Sequence, residues 1–286
     1  MFRLMRDVRR SRCGTHQARP WLLVLLLVSM GLALAGCDDD VDQAARTSDA
    51  NLLIYCGITM LHPIRAVAAV FEAETGATVT ISQGGSEDLY KSLKANRLGD
   101  LYFPGSLSYR TRNLEEGLLG EAFELGYNVS ALLVLEGNPK RIPADLAALA
   151  DPALSVVIAN PQSGSIGRET QRVLEAAGLN RDVLANTSFM ATDSRNLNQF
   201  LLDGAADLIM NWRATAFFPE NRDQLDVLDI DPALAEPKIL AINLLTFSAH
   251  PELAHRFMGL AASERGQAIF RSFGFLDRDG RVGVAN

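Results

Sequence analysis

The chain is 286 residues long, carries a formal net charge of −7, and is 48% hydrophobic with only three cysteines. That length and apolar content support one large folded body or two smaller ones. The acidic balance argues against nucleic-acid binding, which relies on neutralising phosphates, and so few cysteines exclude a disulfide-stapled scaffold.

The chain opens on a basic stretch, Arg3, Arg6, Arg9, Arg10, Arg12 and Arg19, followed by an apolar run from Trp21 to Leu34. The run is too short for a permanent bilayer helix but suits the core of a secretory signal. It ends in Leu34-Ala35-Gly36-Cys37. Small residues before a cysteine resemble the bacterial lipoprotein signal, and the resemblance implies cleavage before Cys37 and lipid on its sulfur. An ordinary signal peptide with an incidental cysteine is the alternative. Asp38, Asp39 and Asp40 come next. They resemble the signal that retains lipoproteins at the inner membrane, which implies a periplasmic protein anchored to the inner (cytoplasmic) membrane. Residues 1–36 therefore read as a signal peptide, and residues 37–50, small, polar and acidic, as a flexible tether. The segment before Cys37 holds six of the 27 basic and one of the 34 acidic residues, so 21 and 33 remain, a net charge of about −12. With Cys13 lost and Cys37 lipidated, Cys56 stands alone and no intrachain disulfide is available.

Leu52 to Tyr55 reads as a buried strand and Gly57-Ile58-Thr59-Met60 as a turn. Pro63 suits the start of a helix whose apolar face is Ile64, Val67, Ala68 and Phe71 and whose stop is Gly76. Thr78 to Ser82 alternates as a strand. Gly84-Gly85-Ser86 is a turn, a helix runs through Leu89 and Leu93 to Leu98, and Leu101 to Phe103 is a third strand. This β-α-β-α-β order predicts a parallel sheet covered by helices. The pattern restarts after Leu132 to Leu135. Val156 to Ala159 is a strand, Gln162 to Gly167 a loop, and a helix passes through Val173 and Leu174 to Gly178. Asn196 to Leu202 reads as a helix, Leu208 to Met210 as a strand, Ile239 to Phe247 as a strand, and Pro251 to Phe273 as a helical stretch.

Three strand-to-helix turns carry the functional signal: Thr59-Met60, Gly84-Gly85-Ser86-Glu87 and Gly164-Ser165-Ile166-Gly167. In open α/β sheets ligands bind beyond the carboxyl ends of the strands. Helix starts there offer unpaired N–H groups that take anions without lysine or arginine. Glycine lets the backbone come close, and Ser or Thr adds a hydroxyl. Each turn alone is also what an ordinary helix cap looks like.

Several stretches together resemble the solute-binding proteins of ABC importers, specifically the molybdate-binding type. They are Leu52 to Thr59, Phe71-Glu72-Ala73-Glu74-Thr75-Gly76, Gly84-Gly85-Ser86 with Leu89, and Gly99-Asp100-Leu101. Asn138-Pro139-Lys140, Leu146, Gly204-Ala205-Ala206-Asp207 and His250-Pro251-Glu252 follow in equivalent order, then Phe257, Gly266 to Phe270 and Gly274-Phe275. The resemblance implies an α/β fold, a two-lobed type II periplasmic-binding-protein clamp with a hinge. Its lobes are expected at 51–131 plus 236–286 and at 132–232. It also implies a small-molecule ligand, most simply an oxyanion such as molybdate or tungstate, a membrane permease as partner, and a monomer. Carried over position by position, it places ligand contacts at Thr59, Ser86, Gly105, Ile166 and Ser194, with Met60, Ser165 and Asn211 beside them. The chain departs from the family at Leu208 to Arg213, which lacks the tyrosine often found late in the cleft.

Other residues have two readings. Arg168, Arg195 and Arg213 lie near cleft turns and could clamp an anion or could be solvated helix-face arginines. Met60, Phe103, Tyr109 and Trp212 could line an apolar cleft for an organic or lipid-like ligand, or belong to the core. A ligand-presenting partner of a membrane kinase would look the same in sequence. Cys56 has no histidine placed to activate it, and His62, His250 and His255 show no metal-ligand spacing. No enzyme, cofactor or metal is expected.

Overall fold

The computed structural model describes residues 51–277, 279 and 280. The expected leader, Cys37 and the tether lie outside the described residues. No helix among the described residues is long and apolar enough to cross a membrane.

The first strand, β1 (Asn51–Gly57), leads through a 3-10 turn (Ile58–Met60) into helix α1 (Leu61–Thr75). Gly76 ends α1 at φ 71°, the left-handed conformation that glycine adopts without a Cβ penalty, and its N–H closes on Glu72. Strand β2 (Thr78–Gly84), helix α2 (Ser86–Asn96), strand β3 (Leu101–Phe103), helix α3 (Ser108–Asn113) and strand β4 (Leu119–Asn128) follow. After Val129 the chain enters β5 (Ser130–Leu135), β6 (Val156–Ala159), α4 (Ser165–Ala176), α5 (Asn180–Asn186) and β7 (Thr187–Ala191). Then come α6 (Ser194–Leu202), β8 (Leu208–Trp212) and β9 (Leu225–Leu228). Strand β10 (Lys238–Leu245) and helices α7 (Pro251–Ala262) and α8 (Glu264–Ser272) end the described fold.

Ten strands form two sheets, ordered β2-β1-β3-β10-β4 and β7-β6-β8-β5-β9. The expected parallel strands are present: β1 pairs parallel with β2 and β3, and β6 with β7 and β8. Neither sheet is wholly parallel. Strand β10 returns from the second sheet and inserts antiparallel between β3 and β4, and β5 is antiparallel to both its neighbours. The backbone thus passes between the sheets twice, at Val129 and again over residues 229–237.

The central strands of each sheet are buried on both faces, as their near-continuous apolar runs require. Along β1, Leu52, Ile54 and Cys56 face one core with Ile64, Phe71, Phe257 and Phe270. Leu53 and Tyr55 face the opposite layer, under Leu89, Tyr90 and Leu93 of α2. In the second sheet Leu132, Val156, Ile158 and Met210 meet Val173 and Leu174 of α4. On its other face, Leu133, Val157 and Ile209 meet Leu197 and Leu201 of α6. Each fully buried Leu or Ile contributes about 1.5–3 kcal/mol. The architecture is an α/β two-lobed clamp, and it brings the carboxyl ends of the parallel strands of both sheets together.

Candidate functional site

Three helices begin at that meeting place, and each is preceded by glycine. Gly57 precedes the 3-10 turn into α1, Gly85 precedes α2, and Gly164 precedes α4, and none of the three starts has a side-chain cap. Glycine cannot cap, so the first-turn amides remain available to an outside acceptor, and each helix dipole adds partial positive charge. A fourth helix, α6, is different. Asp193 caps it, its Oδ1 accepting from the amides of Arg195 and Asn196 at 2.9 and 3.0 Å.

The sequence-predicted residues Thr59, Met60, Ser86 and Gly105 of the first lobe face Ser165, Ile166 and Ser194 of the second across one small space. The space between them is about 10 Å³, roughly one water's worth. Their polar atoms bond one another. Thr59 Oγ1 donates to Ser194 Oγ at 3.0 Å across the lobes, and the Gly105 amide donates to Ser86 Oγ at 3.0 Å. Tyr102, wholly buried, donates its hydroxyl to the Ser86 carbonyl at 2.8 Å and so fixes the start of α2. Trp212 Nε1 donates to Ser165 Oγ at 3.3 Å. Asn211 does not line the space. It lies behind, wholly buried, donating to the Ser194 carbonyl and to Asn198 Oδ1 at 2.9 and 2.7 Å.

The lobes touch at backbone distance. A Cβ on Gly85 would come within 2.4 Å of the Ser163 carbonyl oxygen, and one on Gly105 within 2.1 Å of Ser165 Oγ. Only glycine permits this approach.

Around the cradle the charged residues pair. Glu87 accepts from Arg112 of its own lobe and from Arg168 of the other, each at 2.8 Å. Arg168 Nε also donates to Tyr109 Oη at 3.1 Å, and the guanidiniums of Arg112 and Arg168 lie 4.8 and 5.3 Å from the Tyr109 ring centre. Burial raises the Tyr109 pKa, with Arg168 opposing it. Arg195 reaches Gln83 across the lobes at 3.3 Å. Arg213 instead pairs with Asp229 at 3.1 Å and stacks on Phe217. Met60 and Phe103 belong to the first core, and Tyr109 and Trp212 are wholly buried.

Asp193 was not legible as a cradle residue from sequence. Its signal is the Asp-Ser-Arg-Asn run, the form of a helix cap. Cys56 is buried, and burial pushes its thiol pKa far up, which leaves it inert as a nucleophile. Among the described residues no three of His, Cys, Asp or Glu are grouped to hold a metal ion. His62 bonds Glu220 at 2.8 Å and packs against Phe218 and Phe273.

Comparison with known proteins agrees with this geometry. The family model described as bacterial extracellular solute-binding protein matches residues 52–276. The molybdate-binding protein ModA of Mycobacterium bovis is 22% identical over 257 residues, covering 88% of this chain and 95% of that protein. Among solved structures, the periplasmic molybdate-binding protein of Azotobacter vinelandii superposes with a TM-score of 0.67 at 20% identity, over 78% of this chain and 98% of that one. The sulfate-binding protein SubI of Mycobacterium tuberculosis does so with 0.69 at 17% identity, over 82% and 89%. A two-lobed α/β clamp, glycine-started helices converging between its lobes, and a family match spanning both lobes make this chain a member of the bacterial extracellular solute-binding protein family.

Proposed function

We propose that the chain captures a small oxyanion between its lobes and hands it to the permease of an ABC-type importer. In this reading it works as a monomer held by Cys37 lipid on the periplasmic face of the inner membrane. One observation carries the ligand class: three uncapped, glycine-preceded helix starts converge with the hydroxyls of Thr59, Ser86, Ser165 and Ser194. Among the described residues no lysine or arginine lines that space, and its one carboxylate, Asp193, is engaged by the Arg195 and Asn196 amides. Neutral donors on aligned helix dipoles suit an anion that sheds its water on binding. The names of the mycobacterial and Azotobacter relatives support molybdate as the first ligand to try, and that of SubI supports sulfate.

A space of about 10 Å³ is too small for a four-oxygen anion, so binding requires the lobes to part and the Thr59–Ser194 bond to be exchanged for bonds to the ligand. Hinge closure of this kind is a standard way for two-lobed proteins to trap a ligand. Calorimetry with molybdate, tungstate and sulfate tests the reading. Ser86→Ala removes one hydrogen bond to a charged acceptor, worth about 1.5–3 kcal/mol. The affinity is therefore expected to fall roughly ten- to hundredfold. An affinity equal to that of the unmodified protein would remove Ser86 from the site.

A further inference from the structure

The cradle is not the only opening between the lobes. A groove of about 680 Å³ lies beside it, and the two share Ser165. The groove differs from the cradle in charge. Four cations line it, Arg112, Arg168, Arg172 and Lys238, with two carboxylates, Glu169 and Glu175. This is a basic wall in an acidic protein.

The pairing of these cations is uneven. Arg112 and Arg168 share the single carboxylate of Glu87. Arg172 holds Glu169 at 2.6 and 3.0 Å and the Leu234 carbonyl at 2.6 Å. Lys238 is then left at a distance. Its Nζ is 3.9 Å from Glu169 and 3.6 Å from the exposed Glu236, both beyond hydrogen-bonding reach. Its side chain is only 21% exposed. A half-buried lysine whose ammonium has three donors and no short acceptor invites an anionic partner. Lys238 also opens β10, where the chain re-enters the first sheet, so a partner there touches the second passage between lobes.

We infer that the groove is a second anion subsite and that the ligand is an organic molecule carrying two anionic groups. An oxyanion head sits in the cradle and a second group, of the carboxylate kind, meets Lys238 and its arginine neighbours in the groove. The inference rests on the oxyanion reading above. It names the substrate class as short phosphono- or phospho-carboxylates in preference to inorganic oxyanions.

Calorimetry on the protein separates the two claims. Inorganic phosphate and molybdate report on the head site alone. Phosphonoacetate, 3-phosphonopropionate and 4-phosphonobutyrate are each compared with the alkylphosphonate of the same chain length. At one length the carboxylate is expected to tighten binding at least tenfold, and Lys238→Gln to bring that ratio close to one. A ratio near one at every length in the unmodified protein overturns the second subsite and leaves the oxyanion cradle standing. A tenfold ratio that survives Lys238→Gln overturns the role given to this groove. If neither inorganic anion nor any phosphonate binds, the oxyanion reading fails, and this inference with it.

Discussion

Glu87 follows Ser86 directly in the chain, yet its carboxylate turns from the cradle to sit between Arg112 and Arg168. The pair with Arg168 joins the two lobes. Both partners are partly exposed, so such a bridge is worth about 0.5–1 kcal/mol and is screened by salt. Glu87→Gln is expected to weaken ligand affinity about two- to fivefold in dilute buffer and hardly at all in 1 M salt. Equal affinities in dilute buffer would show that the bridge does not hold the lobes. At this scale the sequence was most readable where backbone chemistry is demanding. Thr59, Ser86 and Ser165 stood out because glycine and hydroxyl residues sat at strand-to-helix turns. Asn211 sits one layer behind the cradle, and burial in β8 cannot be told from lining a cleft by spacing alone. Glu87 could not be read, because its partner Arg168 lies 81 residues away.

Two short elements repeat one device. Asp100, just before β3, accepts from the Leu53 amide at 2.8 Å, the Ser248 hydroxyl at 2.6 Å and the His250 amide at 3.3 Å. Asp207, just before β8, accepts from the Ser155 amide at 2.8 Å and Lys140 Nζ at 2.7 Å. Each carboxylate ties the start of one parallel strand to its neighbour. Burial tends to raise the Asp207 pKa, but the Lys140 and Ser155 bonds outweigh it and hold the carboxyl below its usual value. A depressed folded-state pKa gives stability that is present above the unfolded value, about 3.9, and lost as pH falls through the lower folded value. Acid unfolding monitored below about pH 4 is therefore expected to be shallower in Asp207→Asn, and that variant is expected to be the less stable of the two at neutral pH. Parallel acid profiles would contradict this. Elements with clear periodicity were legible in advance, α1 above all, and β3 was legible as a short apolar run. Strand β7 was not, because Ser188, Phe189 and Met190 are all exposed and no alternation survives. Strand β4 was hidden by the bulged register opposite β10, and α3, Ser-Tyr-Arg-Thr-Arg-Asn, has almost no apolar face. The single helical stretch expected from Pro251 is two helices, because Ser263 caps a new one with its side chain on the Gly266 amide.

At the scale of the whole molecule the two-sheet plan followed from the restart of the strand-helix pattern, but the insertion of β10 did not. That strand pairs with segments more than a hundred residues earlier, and only a matched family pattern carries such information from sequence. The segment Arg213–Phe217 is a further non-local link: its Ala214 packs in the first core and its Ala216 in the second. The contact of Gly85 with the Ser163 carbonyl has a use of its own. Gly85 has φ −65° and ψ 138°, which alanine adopts freely, so a methyl there would strain nothing in its own lobe. It would act as a doorstop. Gly85→Ala is expected to keep a near-native melting temperature, to show a larger radius of gyration in X-ray scattering at saturating ligand, and to lose most of its affinity. A variant that shrinks on binding as much as the parent would show that the hinge tolerates the extra atom. A jaw that can touch its cargo yet never shut would let the permease's preference for the shut form be measured apart from its taste in cargo.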